Sequence, residues 1–140
     1  MPEESAIDTT VQKTKLWLKQ IMDKLHRDDE HFAFQCLRAV LHSVRDRMPV
    51  DEAAQLGAQF PLLVRGVYYE GWRPSATPQK ERHLDEFLSR VRQEFRKEPD
   101  IDPLTITRAV LRVISSEIDR GEIEDVKKLM PAELHQLWTD

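Results

Sequence analysis

Slid along itself by 70 residues, half its length, the chain meets itself without a gap. Arg38-Ala-Val-Leu41 falls on Arg108-Ala-Val-Leu111, Glu52 on Glu122, Pro61 on Pro131 and Leu18 on Leu88. Apolar character is kept at Trp17/Phe87, Ile21/Val91, Leu25/Phe95, Phe34/Leu104, Val44/Ile114 and Met48/Ile118. It continues at Leu56/Val126, Phe60/Met130, Val64/Leu134, Val67/Leu137 and Tyr68/Trp138. A register held over more than 100 residues restricts the fold to two similar units. The expected organisation is one compact domain over residues 1–140, with repeats at about 10–70 and 80–140 and a connector at 71–79. One copy alone has too little core to be secure, so the two are expected to pack face to face as a pseudo-twofold helical bundle.

Within each copy the periodicity is helical. Trp17, Leu18, Ile21 and Leu25 mark one face of a helix over roughly residues 10–26. Asp28 and Asp29 are suitable N-caps for the next helix, whose stripe is Phe34, Leu37, Leu41, Val44 and Met48. Pro49 ends it, Asp51 is expected to cap a short helix through about Ala58, and Pro61 fits the first turn of a last one. In the second copy Thr77-Pro78 is expected to open a helix carrying Leu84, Phe87, Leu88, Val91 and Phe95. Asp102-Pro103 starts the following helix, Gly121 is expected to stop it, and Pro131 opens the last. Each copy thus predicts two long helices and two short ones. No segment shows the sustained alternation of a half-buried strand, and the predicted class is all-α.

Composition narrows the function. Twenty-one basic against 25 acidic residues give a formal charge of -4, which excludes a generally basic nucleic-acid binder. Arg38, Arg45, Arg47 and Arg65 form a possible basic surface, but Asp46, Asp51 and Glu52 dilute it, and a solvated face is expected instead. The acidic start lacks a secretory pattern, and no apolar run is long enough to cross a bilayer; a cytoplasmic chain is expected. One cysteine excludes an intrachain disulfide and every multi-cysteine metal site. Cys36 has Ile106 as its counterpart, which suggests a small core side chain rather than a nucleophile. The five histidines lack Glu-x-x-His and His-Glu-x-x-His spacing, and no Gly-rich phosphate loop or Gly-x-Ser-x-Gly is present. No catalytic residue, cofactor or metal is therefore expected.

Two sets of residues stand out. Arg38/Arg108 and Glu52/Glu122 recur at the repeat spacing, as an anion site or, more simply, as inherited structural ion pairs. The connector Tyr68-Tyr69-Glu70-Gly71-Trp72-Arg73-Pro74-Ser75 places large amphipathic groups beside a guanidinium, a mixture enriched at binding hot spots. Arg65, Tyr69, Trp72, Arg73 and His83 are accordingly the candidate interaction or pocket residues.

Arg38-Ala-Val-Leu-His, Asp51-Glu-Ala-Ala-Gln-Leu and Gln59-Phe-Pro-Leu-Leu-Val-Arg-Gly-Val-Tyr-Tyr-Glu-Gly-Trp72 resemble the domain of unknown function 2267 family. So do Glu86-Phe-Leu, Gly121-Glu-Ile-Glu-Asp-Val and Leu129-Met-Pro-Ala-Glu-Leu-His-Gln-Leu-Trp138. The resemblance spans roughly residues 12–138, with Arg73-Pro-Ser where family members commonly have Asp-Pro-Ser. It implies a small all-helical bacterial or archaeal protein and supplies neither catalytic residues nor a substrate. Two functions are expected: a non-enzymatic protein-interaction or regulatory module, or a small-molecule binding protein, possibly an enzyme, with its pocket between the repeats. The partner would be another protein or a second copy of the chain, with a monomer or homodimer and neither nucleic acid nor membrane involved.

Overall fold

Ser5 accepts a hydrogen bond from Asp8 N and starts α1, Ala6–Leu25. The computed structural model describes residues 5–80 and 82–139. Helix α1 ends at His26, whose left-handed backbone (φ 54°) lets Arg27 N return to the Met22 carbonyl at 3.0 Å. That is the Schellman closure, built here without a glycine. Asp29 caps α2, Glu30–Arg45, by accepting from Phe32 N.

Helix α3, Val50–Gly57, begins one residue before Asp51. Asp51 is therefore not the cap; Pro49 occupies that position, and Asp51 and Glu52 lie in the first turn, where the helix dipole favours acids. Pro61 precedes α4, Leu62–Tyr69.

The second half departs from expectation at three points. Helix α5, Leu84–Arg92, starts well beyond Thr77-Pro78, and a 3-10 turn at Gln93–Phe95 extends it. Residues 79–82 supply no apolar side chain for a helical face to bury, whereas His83 and Glu86 form a capping box at Leu84. Helix α6, Pro103–Glu117, ends before Gly121, which instead sits in the first turn of α7, Arg120–Leu129. Asp119 accepts from Glu122 N and starts α7 two residues before the glycine. The segment after Pro131 is a 3-10 stretch, Ala132–Trp138.

Helix α1 packs on α2 and α6, and α5 packs on α6 and α2, with α2 also touching α6 directly. Leu37, Val40, Leu41, Val110 and Val113 are buried in the one hydrophobic cluster that these helices share. Each such side chain contributes ~1.5–3 kcal/mol relative to exposure. Helices α2 and α6 thus contribute buried apolar side chains to one shared core. Helix α4 lies against α1, α2 and α3; α3 also meets α7, and the final 3-10 stretch meets α6. The fold is all-helical, and among the described residues there is no strand. None of the described helices is long and apolar enough to cross a membrane.

Candidate functional site

Helix α2 ends at Arg45, Asp46-Arg47 follow it, and the connector is held by Arg45 and Asp46. All three are buried, at 3%, 5% and 4% exposure, which corrects the expectation of a solvated basic face at Arg45 and Arg47. Arg45 Nε donates to Asp46 Oδ1 at 2.8 Å, and its Nη1 donates to the carbonyls of Tyr68 at 2.7 Å and Glu70 at 2.8 Å. One turn earlier, His42 Nε2 lies 2.7 Å from the Val67 carbonyl. A carbonyl only accepts, so Nε2 carries the proton; burial lowers the His42 pKa and keeps the ring neutral. Arg38 Nε stands 2.9 Å from Glu70 Oε1, misaligned for a hydrogen bond. His42 and Arg45 thus serve carbonyls at the C-terminal end of α4, while Arg38 meets only the Glu70 carboxylate.

Asp46 extends the network to the other half. Its Oδ2 accepts from Arg90 Nη2 on α5 at 3.1 Å, and its carbonyl accepts from Gln79 N at 2.6 Å. Arg47 donates to the Ser43 carbonyl at 2.9 Å and lies over the Phe87 ring at 4.8 Å.

The candidate residues take separate places. Arg65 donates to the carbonyls of Gly57 and Phe60, each at 3.2 Å, and to Ala58 O, closing the end of α3. Tyr69 Oη donates to Ala54 O at 3.2 Å, and its ring lies 5.3 Å from that of Trp72. Trp72 packs against the core, and its indole N–H is buried without an acceptor among the described residues. Arg73 is exposed at the start of a 3-10 turn, Pro74–Ala76. His83, exposed at the cap of α5, meets Glu133 through Nδ1 at 3.0 Å. That hydrogen bond raises the His83 pKa; Glu133 is held low, first by the Leu84 N–H and then by His83. Tyr69 and Trp72 thus come together, whereas Arg65 and His83 line different hollows.

Of the repeat-paired charges, Glu52 and Glu122 line a small hollow of about 280 Å³ between α3 and α7, where Gln55 donates to Glu122 at 3.1 Å. Arg38 faces Glu70, and Arg108 reaches the Gln136 carbonyl at 3.4 Å. The arginines and the glutamates therefore serve different places. Cys36 is buried, and burial pushes its thiol up to about 12. Among the described residues, no group of three or more His, Cys, Asp or Glu side chains is placed to hold a metal ion.

Two hollows were not anticipated. One, of about 540 Å³, runs between α1 and α4, where Leu16 (59% exposed) and Leu62 (60% exposed) stand beside Lys13 and Arg65. Helical phasing could have shown the Leu16 half of it, since Leu16 lies on the polar side of the α1 stripe. The other, of about 520 Å³, opens where the α1–α2 and α5–α6 loops meet. Leu25, Phe32, Ile101 and Ile106 line it together with the charged Arg27, Lys97, Glu98, Asp100 and Asp102. No sequence signal marks that cavity, because it depends on two distant loops coming together.

No curated protein matches the chain. A family model described as an uncharacterised conserved protein, DUF2267, matches residues 14–137. With that match covering the helices from within α1 to the final 3-10 stretch, the chain belongs to the DUF2267 family.

Proposed function

We propose that the chain is a non-enzymatic interaction module that receives a segment of a partner protein in the hollow between α1 and α4. The observation that carries this reading is the pairing of Leu16 and Leu62, two large exposed apolar side chains in one concavity. Helix-flanked grooves of this kind take an apolar anchor residue. Lys13 and Arg65 outnumber Glu117 in the lining, and Glu117 already accepts from Gln20, so an acidic neighbour to that anchor is favoured. On this reading the chain works in the bacterial cytoplasm as a monomer or homodimer.

The unit behind the module is read as a tandem duplication with pseudo-twofold packing. Support comes from element starts 70 residues apart: α3 at Val50 and α7 at Arg120, then Leu62 and Ala132. It comes also from α1 and α5 exchanging roles against α2 and α6.

A displayed library of short peptides tests the module. Wild-type protein should enrich sequences with an apolar residue beside an acid, and Leu16→Asp with Leu62→Asp should lose them. Peptides that bind the double variant equally well, or no enrichment at all, would overturn the reading. A second reading, a small-molecule binder, moves away from the pocket expected at Arg65, Tyr69, Trp72 and His83, which line no common hollow, to the cavity between the two interhelical loops, lined in part by Leu25, Phe32, Ile101 and Ile106.

A further inference from the structure

A hollow between the segment leading into α5 and the end of α7 is lined by charge of one sign. We infer that it binds a small polyanion, an organic molecule bearing at least two phosphate or carboxylate charges. The site is separate from the α1–α4 hollow and from the cavity between the interhelical loops, and the inference is independent of both readings above.

Three stretches of chain form the walls. Arg47 and Pro49 follow α2, residues 75–80 and Arg82 precede α5, and residues 128–132 close the end of α7. Together they enclose about 900 Å³, within the size range of small-molecule sites. Pro49, Pro78 and Pro131 stand in the lining, where each ring fixes its own backbone and offers hydrocarbon to the body of a ligand. The segment before α5 is anchored on both sides of its two cations. Gln79 N donates to the Asp46 carbonyl at 2.6 Å, and Leu84 N donates to Glu133 Oε1 at 3.1 Å. Lys80 and Arg82 are thus carried between two fixed points, which leaves less ordering for a ligand to impose.

Charge selects the ligand. Arg47, Lys80, Arg82 and Lys128 line the hollow, and among the described residues no acid does. Counting Glu81, which stands between Lys80 and Arg82 in the sequence, against them still leaves the balance positive. Lys80, Arg82 and Lys128 are exposed and make no ion pair among the described residues, so their donors are open to a ligand. The nearby carboxylates are engaged elsewhere, Asp46 with Arg45 and Arg90, and Glu133 with Leu84 N and His83. Lys128 also borders the hollow that holds Glu52, Glu122 and Asp125, so Lys80 and Arg82 supply most of the attraction. The chain as a whole carries a formal charge of -4 and repels anions, whereas a concave surface of one sign focuses the field that draws them in. Coulomb attraction scales with the charge on the ligand, which places a polyanion ahead of a monoanion.

The test is a 1H–15N correlation titration of the full chain, at constant ionic strength, with fructose 1,6-bisphosphate, citrate and acetate. At least one of the two polyanions should shift the amides of residues 75–80 and 128–132 and bind about tenfold more tightly than acetate. The tighter of the two identifies phosphate or carboxylate as the charge that is read. Lys80→Gln with Arg82→Gln should weaken that binding about tenfold. Lys24→Gln with Arg96→Gln, which removes the same charge from exposed positions outside this hollow, should leave it unchanged. The inference is overturned if neither polyanion shifts these amides, or if acetate binds as tightly. It is equally overturned if the Lys24 and Arg96 pair weakens binding as much as the Lys80 and Arg82 pair.

Discussion

After Pro61 the first half forms an eight-residue α-helix whose last carbonyls are taken by His42 and Arg45. After Pro131 the second half forms a 3-10 stretch, with Ser115 at the position 70 residues on from Arg45. There His135 Nε2 reaches Met130 O at 3.0 Å and Gln136 donates to Glu133 O at 2.8 Å, so the segment is closed mainly by its own side chains. The contrast follows from what each segment must hold. The first leads into a connector that has to be fixed across the molecule, and a buried guanidinium supplies several donors at once. The second is tied to its neighbours by Glu133, which accepts from Leu84 N and meets His83, and by Arg108 at the Gln136 carbonyl.

Arg45→Ala should break that contrast most severely. It removes the donors to Tyr68 and Glu70 and takes Nε from the Asp46 carboxylate, which keeps Arg90; a loss of ~3–5 kcal/mol in urea unfolding is expected. Ser115→Ala should change stability by no more than about 0.5 kcal/mol. Gly57→Ala comes next. An added Cβ would lie 2.7 Å from Tyr69 Cζ and 3.0 Å from Tyr68 Cε2, so a loss of ~1–3 kcal/mol is expected. Its counterpart, Lys127, faces no such tyrosine pair, and Lys127→Ala should be close to neutral.

Chemical labelling sharpens the comparison of interiors. Cys36, with its thiol pushed up to about 12, should resist iodoacetamide at neutral pH until the chain unfolds, as mass spectrometry would show. The smallest effect belongs to the exposed His83–Glu133 contact. The folded His83 pKa is raised above 6.5, so its contribution is complete below 6.5 and fades as pH rises through the folded value. Glu133 is lowered from 4.5, so its contribution is present above 4.5 and is lost as pH falls through the folded value. The pair helps most between pH 4.5 and 6.5. In an NMR titration Glu133→Gln should return His83 towards its ordinary midpoint.

Helix type and the central stripes were legible because they depend on local spacing. Leu37, Leu41, Val44 and Met48 all lie in the core, and Asp29 and Asp102 both cap. Starts and stops were misread where two punctuation signals compete. Gly121 lost to Asp119, whose side chain satisfies a backbone donor, and Thr77-Pro78 lost to the His83–Glu86 box. Arg45 and Arg47 were misjudged because their acceptors, the carbonyls of Tyr68, Glu70 and Ser43, carry no residue-specific mark in the sequence. The candidate residue Arg65 was similarly obscured, since it serves backbone carbonyls.

The shared core of α2 and α6 joins residues that are made far apart in time. Protein chains are made at roughly 5–20 residues per second. Several seconds therefore separate completion of α2 at Arg45 from completion of α6 at Glu117. Throughout that interval the cluster that holds Leu37, Val40 and Leu41 lacks the apolar side chains that α6 adds to it.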